Sequence, residues 1–384
     1  MGNTLDNLMP DLYAALDIVS RELVGYIPAV GRNSNAERAA MGELVRIPIV
    51  GTANVVDTTP SMSIPEPTDQ VVTNIAMEIT KSREAEFGFV GEEQLGLNNG
   101  VGYVSIQAQM IAQAMRSLTN EIETDLGLAI ALGGSRAYGT AGTAPFVSSL
   151  ADTAQIRKIS SDNGSPLSDL NMVIDTTAGA NMRTLTNLTH ANEANDATLL
   201  RQGVLLDVHG FAIRESAKVP YMTAGTGASA TTDGAGYAIG DTVITLAGAG
   251  TGTIVAGDTV TFAGDAGRYL VVVGDTDVSD GGTITIQAPG LTETIGASAT
   301  AITVGADYTA NAGFNREAVQ LITRAPALPT EGDIAIDRQT VTDPVSGLSF
   351  EVSVYAGKRK VRYEIAAAWG VKVIKPEHVS ILLG

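Results

Sequence analysis

The sequence predicts an α+β fold that combines a long spine helix, an extended β-hairpin loop and an inserted all-β domain. Apolar residues from Gly102 to Leu132 recur mostly at every third or fourth position, the spacing of one helix face. Two alternating segments flank the proline-rich stretch from Gly51 to Asp69, as the strands of a long hairpin would. Glycine and threonine dominate 221–312, where turn residues separate short apolar runs, the pattern of an all-β module.

The composition bounds the domain count and excludes several kinds of site. At about 150 residues per domain, a chain of 384 residues is expected to hold two or three domains. Because cysteine is absent, a disulfide framework, a thiolate zinc site and an iron–sulfur cluster are excluded. Three scattered histidines leave little room for a histidine-based metal centre.

The charge balance limits which kinds of molecule the chain can bind directly. A formal net charge of −18 argues against nucleic acid or an anionic membrane as a directly bound partner. No run approaches the roughly 18 apolar residues of a membrane span, and Met1 to Pro10 lacks the pattern of a targeting signal. We therefore expect a soluble protein that is made in the cytoplasm and does not contact membranes.

The N-terminal segment, 1–41, is predicted to be a helical arm. Leu12, Leu16 and the apolar residues that follow them up to Ile27 have helical spacing, and Pro28 ends the pattern. The pattern leaves open whether this helix packs on its own chain or on a neighbour. Leu12 and Leu16 are therefore candidate subunit contacts.

Residues 42–92 are predicted to form the extended hairpin loop. Its strands are Leu44 to Val50 and Gln70 to Phe89, and Pro65 and Glu66 lie in the tip between them. A two-stranded ribbon is only marginally stable alone in water, so it needs support from another surface. Pro65 and Glu66 are candidate contacts with that surface.

The spine helix is the clearest element. About 30 residues at 1.5 Å each give a rod of roughly 45 Å, and Gly133-Gly134 is a typical helix end. A coiled coil is the alternative, but sustained heptads with charged flanks are lacking. Further along the chain, the patterns predict a helix over 147–159, a strand over 170–175, a helix over 177–188 and a strand over 204–213.

The module at 221–312 has no lysine and a single arginine, Arg268. Its apolar runs are predicted strands, and a small barrel is their expected arrangement. Because 221–312 lies between two segments that resemble parts of one other domain, we expect it to be inserted. The predicted strands are 242–246, 258–262, 269–273 and 283–286.

The C-terminal part contains a clear hairpin. Strands over 348–355 and 361–369 flank a turn at Gly357 to Lys360, after an earlier strand over 318–322 and before short strands over 371–374 and 379–383. The turn carries a basic cluster on an acidic chain. The cluster either docks on an acidic patch of another copy or is a solvated turn, and the sequence favours neither; its members, all candidate subunit contacts, are Lys358, Arg359, Lys360 and Arg362.

No catalytic, cofactor or metal site is predicted. The three histidines form no paired motif, and the run from Gly133 to Ala137 fails the nucleophile-elbow pattern. Gly357-Lys358 is followed by arginine rather than serine or threonine, so it is not a phosphate loop. The acidic run at 275–281 imitates the start of a calcium loop, but a hairpin turn explains it better.

The order of these elements resembles the major capsid (coat) protein of tailed double-stranded DNA bacteriophages, with the Hong Kong 97 type fold. The inserted module makes the chain similar to the podophage branch whose coat protein carries an extra β-barrel domain. Leu170 to Asp175 followed by Ala178 to Leu185 resembles the strand and helix of that family's axial domain. Phe314 to Pro326 resembles the segment that resumes this domain, and Ala367 to Glu377 resembles the closing stretch.

The resemblance implies a structural protein, not an enzyme, that needs no cofactor. Such subunits form hexamers and pentamers that close into an icosahedral shell around DNA, with scaffolding and portal proteins as partners, and their location is the virion. The alternative is a multidomain binding or tail-associated structural protein whose β-insertion recognises a ligand. The implied domains are the arm (1–41), the extended loop (42–92), the peripheral domain (93–165 and 330–375), the axial domain (166–220, 313–329 and 376–384) and the inserted β-barrel (221–312).

Some relatives in that family crosslink a lysine to an asparagine. Lys81 is the lysine of the extended region, and no matching asparagine motif accompanies it. The sequence therefore does not favour crosslinking.

Overall fold

The computed structural model shows a mixed α+β fold that consists mostly of β-sheet, as the sequence predicts. It describes residues 24–50, 55–58, 60–63, 66, 72–98, 103–185, 188, 207–342 and 348–384. The helices with bounds in these residues are α1 (Gly91–Asn98), α2 (Tyr103–Gly133), α3 (Ala151–Asp162) and α4 (Thr176–Thr184).

The strands of the described residues form a six-stranded sheet, an eleven-stranded sheet and a two-stranded ribbon. They are β1 (Gly31–Ala39), β2 (Leu44–Val50), β3 (Val72–Glu78), β4 (Lys81–Val90), β5 (Arg136–Tyr138), β6 (Leu170–Ile174), β7 (Phe211–Glu215), β8 (Tyr221–Met222), β9 (Val243–Leu246), β10 (Thr259–Phe262), β11 (Tyr269–Val273), β12 (Gly282–Ile286), β13 (Ile302–Val304), β14 (Tyr308–Asn315), β15 (Val319–Pro326), β16 (Asp337–Thr342), β17 (Ser349–Gly357), β18 (Lys360–Val373) and β19 (Val379–Leu383). The six-stranded sheet holds β1, β4 and β15 to β18, the ribbon is β2 and β3, and the other strands belong to the large sheet.

Helix α2 confirms the predicted spine to within one residue at each end, and it spans 31 residues. Its apolar stripe, which includes Ile111, Ile122 and Ile130, is fully buried. Gly133, the last residue of the helix, lies against strand β18, where a Cβ would lie only 2.5 Å from a methyl carbon of Val373. The missing side chain therefore allows this close packing.

The buried face of α2 packs against both sheets at once. One core cluster contains residues of both sheets. Phe314 of β14 and Ile381 of β19 belong to the large sheet, and Phe350 of β17 and Trp369 of β18 belong to the six-stranded sheet. The chain also passes directly between the sheets, through a short 3-10 turn after β14 and another before β19. The helix and these two crossings join the sheets into one core.

A buried carboxylate fixes the chain before β1 to the spine helix. Glu123 accepts backbone N–H bonds from Gly25, Tyr26 and Ile27 at 2.6, 2.8 and 3.0 Å. The Ser216 hydroxyl donates to the same carboxylate at 2.9 Å. Burial raises the pKa of Glu123, and these four hydrogen bonds oppose the rise. The side chain thus joins α2 to two segments that are distant in sequence.

The strands of 221–312 pair in a ring. The order β9, β12, β11, β10, β13 is antiparallel throughout. The bridges Thr231 to Ala301 and Thr232 to Leu246 connect the two outer strands of this series. Apolar side chains such as Ile244, Phe262 and Ile284 fill the interior with a cluster of their own. Tyr269 of β11 pairs with Arg136 of β5, which links the ring to the large sheet; the domain limits at 221 and 312 stay a prediction.

Two predicted elements of the first hundred residues need correction. The helix expected to reach Ile27 does not include residues 24–30, which form bends and turns, and its earlier part lies outside the described residues. The strand expected over 70–89 is two strands, because it is interrupted at Ile79-Thr80 and β4 pairs with β18 rather than with β2. The extended ribbon is therefore shorter than predicted.

Other predictions differ in detail. Of the strand expected over 204–213, residues 204–206 lie outside the described residues; among the others, strand β7 begins at Phe211, after a turn at His209-Gly210 in which both residues have positive φ. The segment 371–374 is not a separate strand, because β18 continues to Val373 and pairs with β15. Strand β1 was not predicted, since its polar sequence lacks alternation; its pairing with β15 is supported by bonds from Arg324 to Asn33 at 2.7 and 2.9 Å.

Replacing Glu123 with alanine should destabilise the whole fold. The variant leaves three buried backbone N–H groups without an acceptor, and at about 1–3 kcal/mol per group we expect a loss of about 3 kcal/mol or more in the free energy of unfolding. Urea unfolding followed by circular dichroism measures it. The control is Thr124→Ala, an exposed neighbour on the same helix; equal stability of the two variants would contradict the role of Glu123.

Candidate subunit interface

The ribbon extends from the six-stranded sheet with few neighbours of its own. Its strands pair in register from Leu44 opposite Glu78 to Val50 opposite Val72. Seven residues at about 3.4 Å each give a length of roughly 24 Å. Within the described residues, neither strand pairs with any other.

Apolar side chains of the ribbon and its tip are exposed. In the segment between the strands, Val55, Val56 and Met62 are 96%, 75% and 109% exposed, and Leu44 and Val72 on the strands are more than half exposed. Single exposed apolar residues are ordinary, whereas a group of them on one projection is typical of a surface that another molecule covers.

The base of the ribbon, in contrast, is firmly attached to the body. Met77 and Ile79 are fully buried in a cluster that includes Ile322 of β15. The Lys372 ammonium donates to the carbonyl oxygen of Ala76 at 2.9 Å. The ribbon is therefore fixed at one end and exposed towards its tip.

Gly370 makes this attachment possible. A Cβ at this position would lie 2.1 Å from the carbonyl oxygen of Glu78. The next backbone contact is a hydrogen bond from the N–H of Thr80 to the carbonyl of Trp369 at 3.0 Å. The backbones of β18 and the ribbon end can approach this closely only because residue 370 has no side chain.

Four predicted contacts fall in or near the least described parts of the chain. Glu66 is exposed. Pro65, Leu12 and Leu16 lie outside the described residues. All four stay predictions.

The basic cluster divides into two parts. Lys358 and Arg359 form the two-residue turn between β17 and β18, with Gly357 opposite Lys360. Arg359 has a φ of 60°, in the left-handed region, and its carbonyl accepts the N–H of Gly91 at 3.1 Å. The turn residues up to Lys360 are exposed, so their charges face solvent at the tip of the hairpin.

Arg362 does not belong to that exposed group. Its guanidinium lies 3.2 Å from Glu84, 2.5 Å from Glu86 and 3.3 Å from Glu364. Two of these carboxylates come from β4. Arg362 therefore connects two strands of its own subunit, and the free part of the basic cluster is the turn.

A polar network that the sequence patterns did not predict lies beneath the ribbon base. Lys81 donates to Asp125 at 2.8 Å and Glu121 at 3.0 Å, and the indole N–H of Trp369 donates to Asp125 at 2.8 Å. Burial would lower the pKa of Lys81, but the hydrogen bonds to Asp125 and Glu121 raise it overall. One feature of the sequence could have indicated this network: Glu121 and Asp125 are four residues apart and therefore lie on one helix face. The ammonium is thus held in its charged form.

None of the helices in the described residues has the length and apolar character needed to cross a membrane.

The chain resembles several solved structures. No family model matches it, and no curated protein matches its sequence. A structure from Mycobacterium phage Che8 has 14% identity and a TM-score of 0.46, covering 90% of this chain and 88% of that one. The capsid structure of the cyanophage P-SCSP1u has 12% identity and a TM-score of 0.49, covering 92% and 86%. A virus-like particle from Pyrococcus furiosus has 10% identity and a TM-score of 0.40, covering 97% and 98%.

Replacing Gly370 with alanine should loosen the ribbon base. The added methyl group would collide with the Glu78 carbonyl, and overpacking of this kind costs about 1–3 kcal/mol. Thermal unfolding and amide exchange of 72–80 measure the effect. Gly357→Ala is the control in the same hairpin, because its nearest atom is 3.6 Å away; if both variants match the parent protein, the close approach at Gly370 is not important.

Proposed function

We propose that this chain is the major capsid protein of a tailed phage, and that it assembles as hexamers and pentamers into an icosahedral shell that encloses double-stranded DNA. Two of the similar structures are the capsid of a cyanophage and a virus-like particle. The observation that carries the proposal is the ribbon, which is attached at its base and carries exposed apolar residues between its strands.

A ribbon of this kind gains stability from a second surface. Two strands alone bury too little apolar area to be stable in water. Val55, Val56 and Met62 would lose their exposure if the tip lay on another molecule. Each such side chain contributes roughly 1.5–3 kcal/mol when it is fully buried. In the proposed shell, a neighbouring subunit provides this second surface.

An identical neighbour suits this geometry. The ribbon and the surface that receives it are different parts of the same subunit, so the contact is head-to-tail. Head-to-tail contacts close into rings when the rotation between copies divides a full turn. Rings of six and five copies are the units that a closed icosahedral shell requires in the proposal.

The charge of the chain agrees with a DNA container. A net charge of −18 disfavours adhesion of the shell wall to its cargo, so the DNA is enclosed without sequence-specific binding. Repulsion between acidic copies should make assembly depend on ionic strength. The exposed turn at Lys358 to Lys360 is a proposed attractive contact for an acidic patch on a neighbour.

The remaining features of the proposal follow from the family resemblance. Scaffolding and portal proteins are the expected partners, the virion is the expected location, and synthesis in the host cytoplasm precedes assembly. The role is structural rather than enzymatic. The alternative, a ligand-binding β-insertion, is not favoured, because apolar side chains occupy the interior of the ring as they do in a packed core.

The exposed ribbon tip gives the most direct test of this function. Full-length protein, with a scaffolding protein if required, should form uniform closed particles by negative-stain microscopy. The triple variant Val55→Asp, Val56→Asp, Met62→Asp should reduce the particle yield at least tenfold, because three charges would have to be buried at the contact. Its melting temperature as a subunit should stay unchanged, since these side chains are exposed.

The matched control keeps the same positions apolar, as Val55→Ile, Val56→Ile, Met62→Leu. It should assemble as the parent protein does. Normal particles from the aspartate variant would contradict a ribbon contact, and only small oligomers from the parent protein in all salt and scaffold conditions would contradict shell formation.

A further inference from the structure

Three carboxylates share one guanidinium on the face of the six-stranded sheet that lies away from the spine helix. Glu84 and Glu86 of β4 and Glu364 of β18 all lie within 3.3 Å of Arg362. One positive charge cannot neutralise three negative charges. The cluster therefore carries excess negative charge when all its carboxyl groups are ionised.

The strand register forces these groups together. Glu364 lies directly opposite Glu86 in the β4–β18 ladder, and Glu84 lies diagonally, opposite Ala366. Like charges at directly opposed positions destabilise a strand pair. Since β4 pairs with β18 over all ten of its residues, the repulsion acts on the central contact of this strand.

Lys360, on the same face of β18 as Arg362, is exposed to solvent, and the other described cations near the cluster are paired with carboxylates. Asp333, from the loop before β16, adds another carboxylate, and it is paired with Arg338 and accepts the Tyr355 hydroxyl at 2.8 Å. Arg338 and Arg38 are both engaged by Glu351 of β17.

Arg83 of β4 lies 3.4 Å from Glu121 of the spine helix. The Arg362 guanidinium carbon is 6.0 Å from the centre of the Tyr355 ring. Glu84, Glu364, Asp333 and Tyr355 line a groove of about 590 Å³ on this face. Apart from Lys360, the described cations that border the groove are engaged by carboxylates.

We propose that the carboxyl group of Glu364 holds a proton, and that this proton stabilises the pairing of β4 with β18. In the protonated state, the carboxyl group of Glu364 donates a hydrogen bond to Glu84. Arg362 then faces two negative charges instead of three. Loss of the proton leaves the three carboxylates in mutual repulsion across the strand pair.

The direction of the pKa shift of Glu364 agrees with this arrangement. Partial burial, together with the charge of Glu84 and a hydrogen bond to it, raises the pKa of Glu364 to about 7, although Arg362 opposes the rise. The folded chain thus binds this proton more tightly than an unfolded chain does. The resulting stabilisation is complete below the ordinary range of a glutamate and is lost as the pH rises through about 7.

The proton on Glu364 also affects the attachment of the ribbon. Strand β4 follows ribbon strand β3 after only Ile79 and Thr80, so a loosened β4 weakens the attachment of the ribbon to the body. The inference does not depend on shell formation, because every group in it belongs to a single subunit. It predicts that the attachment is firmer in mildly acidic than in mildly alkaline solution.

Hydrogen exchange of the full-length chain tests whether the proton on Glu364 stabilises the pairing of β4 with β18. Amide exchange of 81–90, corrected for intrinsic rates, should accelerate by up to about tenfold between pH 6 and pH 8, the change that linkage gives for such a group. In Glu364→Gln, which keeps the hydrogen bond but cannot ionise, the exchange should be the same at both pH values. Glu84→Gln should also reduce the dependence, and it serves as the second variant if the first folds poorly.

Glu293→Gln, which removes an exposed carboxylate of the β-module, should behave as the parent protein. Light scattering at both pH values checks that the assembly state does not change during the comparison. Equal protection of 81–90 at pH 6 and pH 8 in the parent protein would overturn the proposal, and so would an undiminished pH dependence in both glutamine variants.

Discussion

One buried face of the spine helix determines where the other elements lie. Ile122, Leu126 and Ile130 of α2 pack in the same cluster as Phe314 of the large sheet and Trp369 of the six-stranded sheet. Because the two sheets meet the same helix, neither can shift without opening the core. Close packing makes such a shift costly, since even small voids destabilise an interior. The subunit body is thus a single packed unit built around α2.

Polar contacts reinforce that unit at two places on the helix. Glu123 binds the backbone before β1, and Asp125 binds Lys81 and the indole of Trp369. Both carboxylates lie in the middle of α2, next to the apolar stripe. Each carboxylate holds a segment that is distant in sequence. The helix therefore determines where these segments lie, as well as burying the apolar side chains.

The ring at 221–312 and the ribbon, which lie outside this core, differ in how much apolar packing each has within the subunit. The ring at 221–312 has an apolar cluster of its own, and it joins the large sheet through Tyr269 and Arg136. The ribbon packs on the body from Met77 and Ile79 as far as Ile47 and Ile75, and the segment beyond it exposes Val55, Val56 and Met62. This difference leads to assembly as the proposed function, because those three exposed side chains would be buried by a neighbouring subunit.

Sequence patterns predicted the elements whose determinants are local. The spine helix follows from a repeated apolar spacing, so its limits were correct to one residue. The break between β3 and β4 at Ile79-Thr80 was missed because the contacts there involve the Trp369 carbonyl and Gly370, far along the chain. Likewise, the charges around Arg362 looked uniformly basic in sequence, since its carboxylate partners Glu84 and Glu86 come from another strand.

If other copies cover the ribbon in the shell, labelling at a single site in its tip reports that cover. The chain has no cysteine, so Val56→Cys introduces one thiol in the exposed tip segment. We expect rapid maleimide labelling in the free subunit and at least tenfold slower labelling in assembled particles, and unfolding the particles should restore the rapid rate. Equal labelling rates in free subunits and intact particles would show that no neighbouring copy covers the tip.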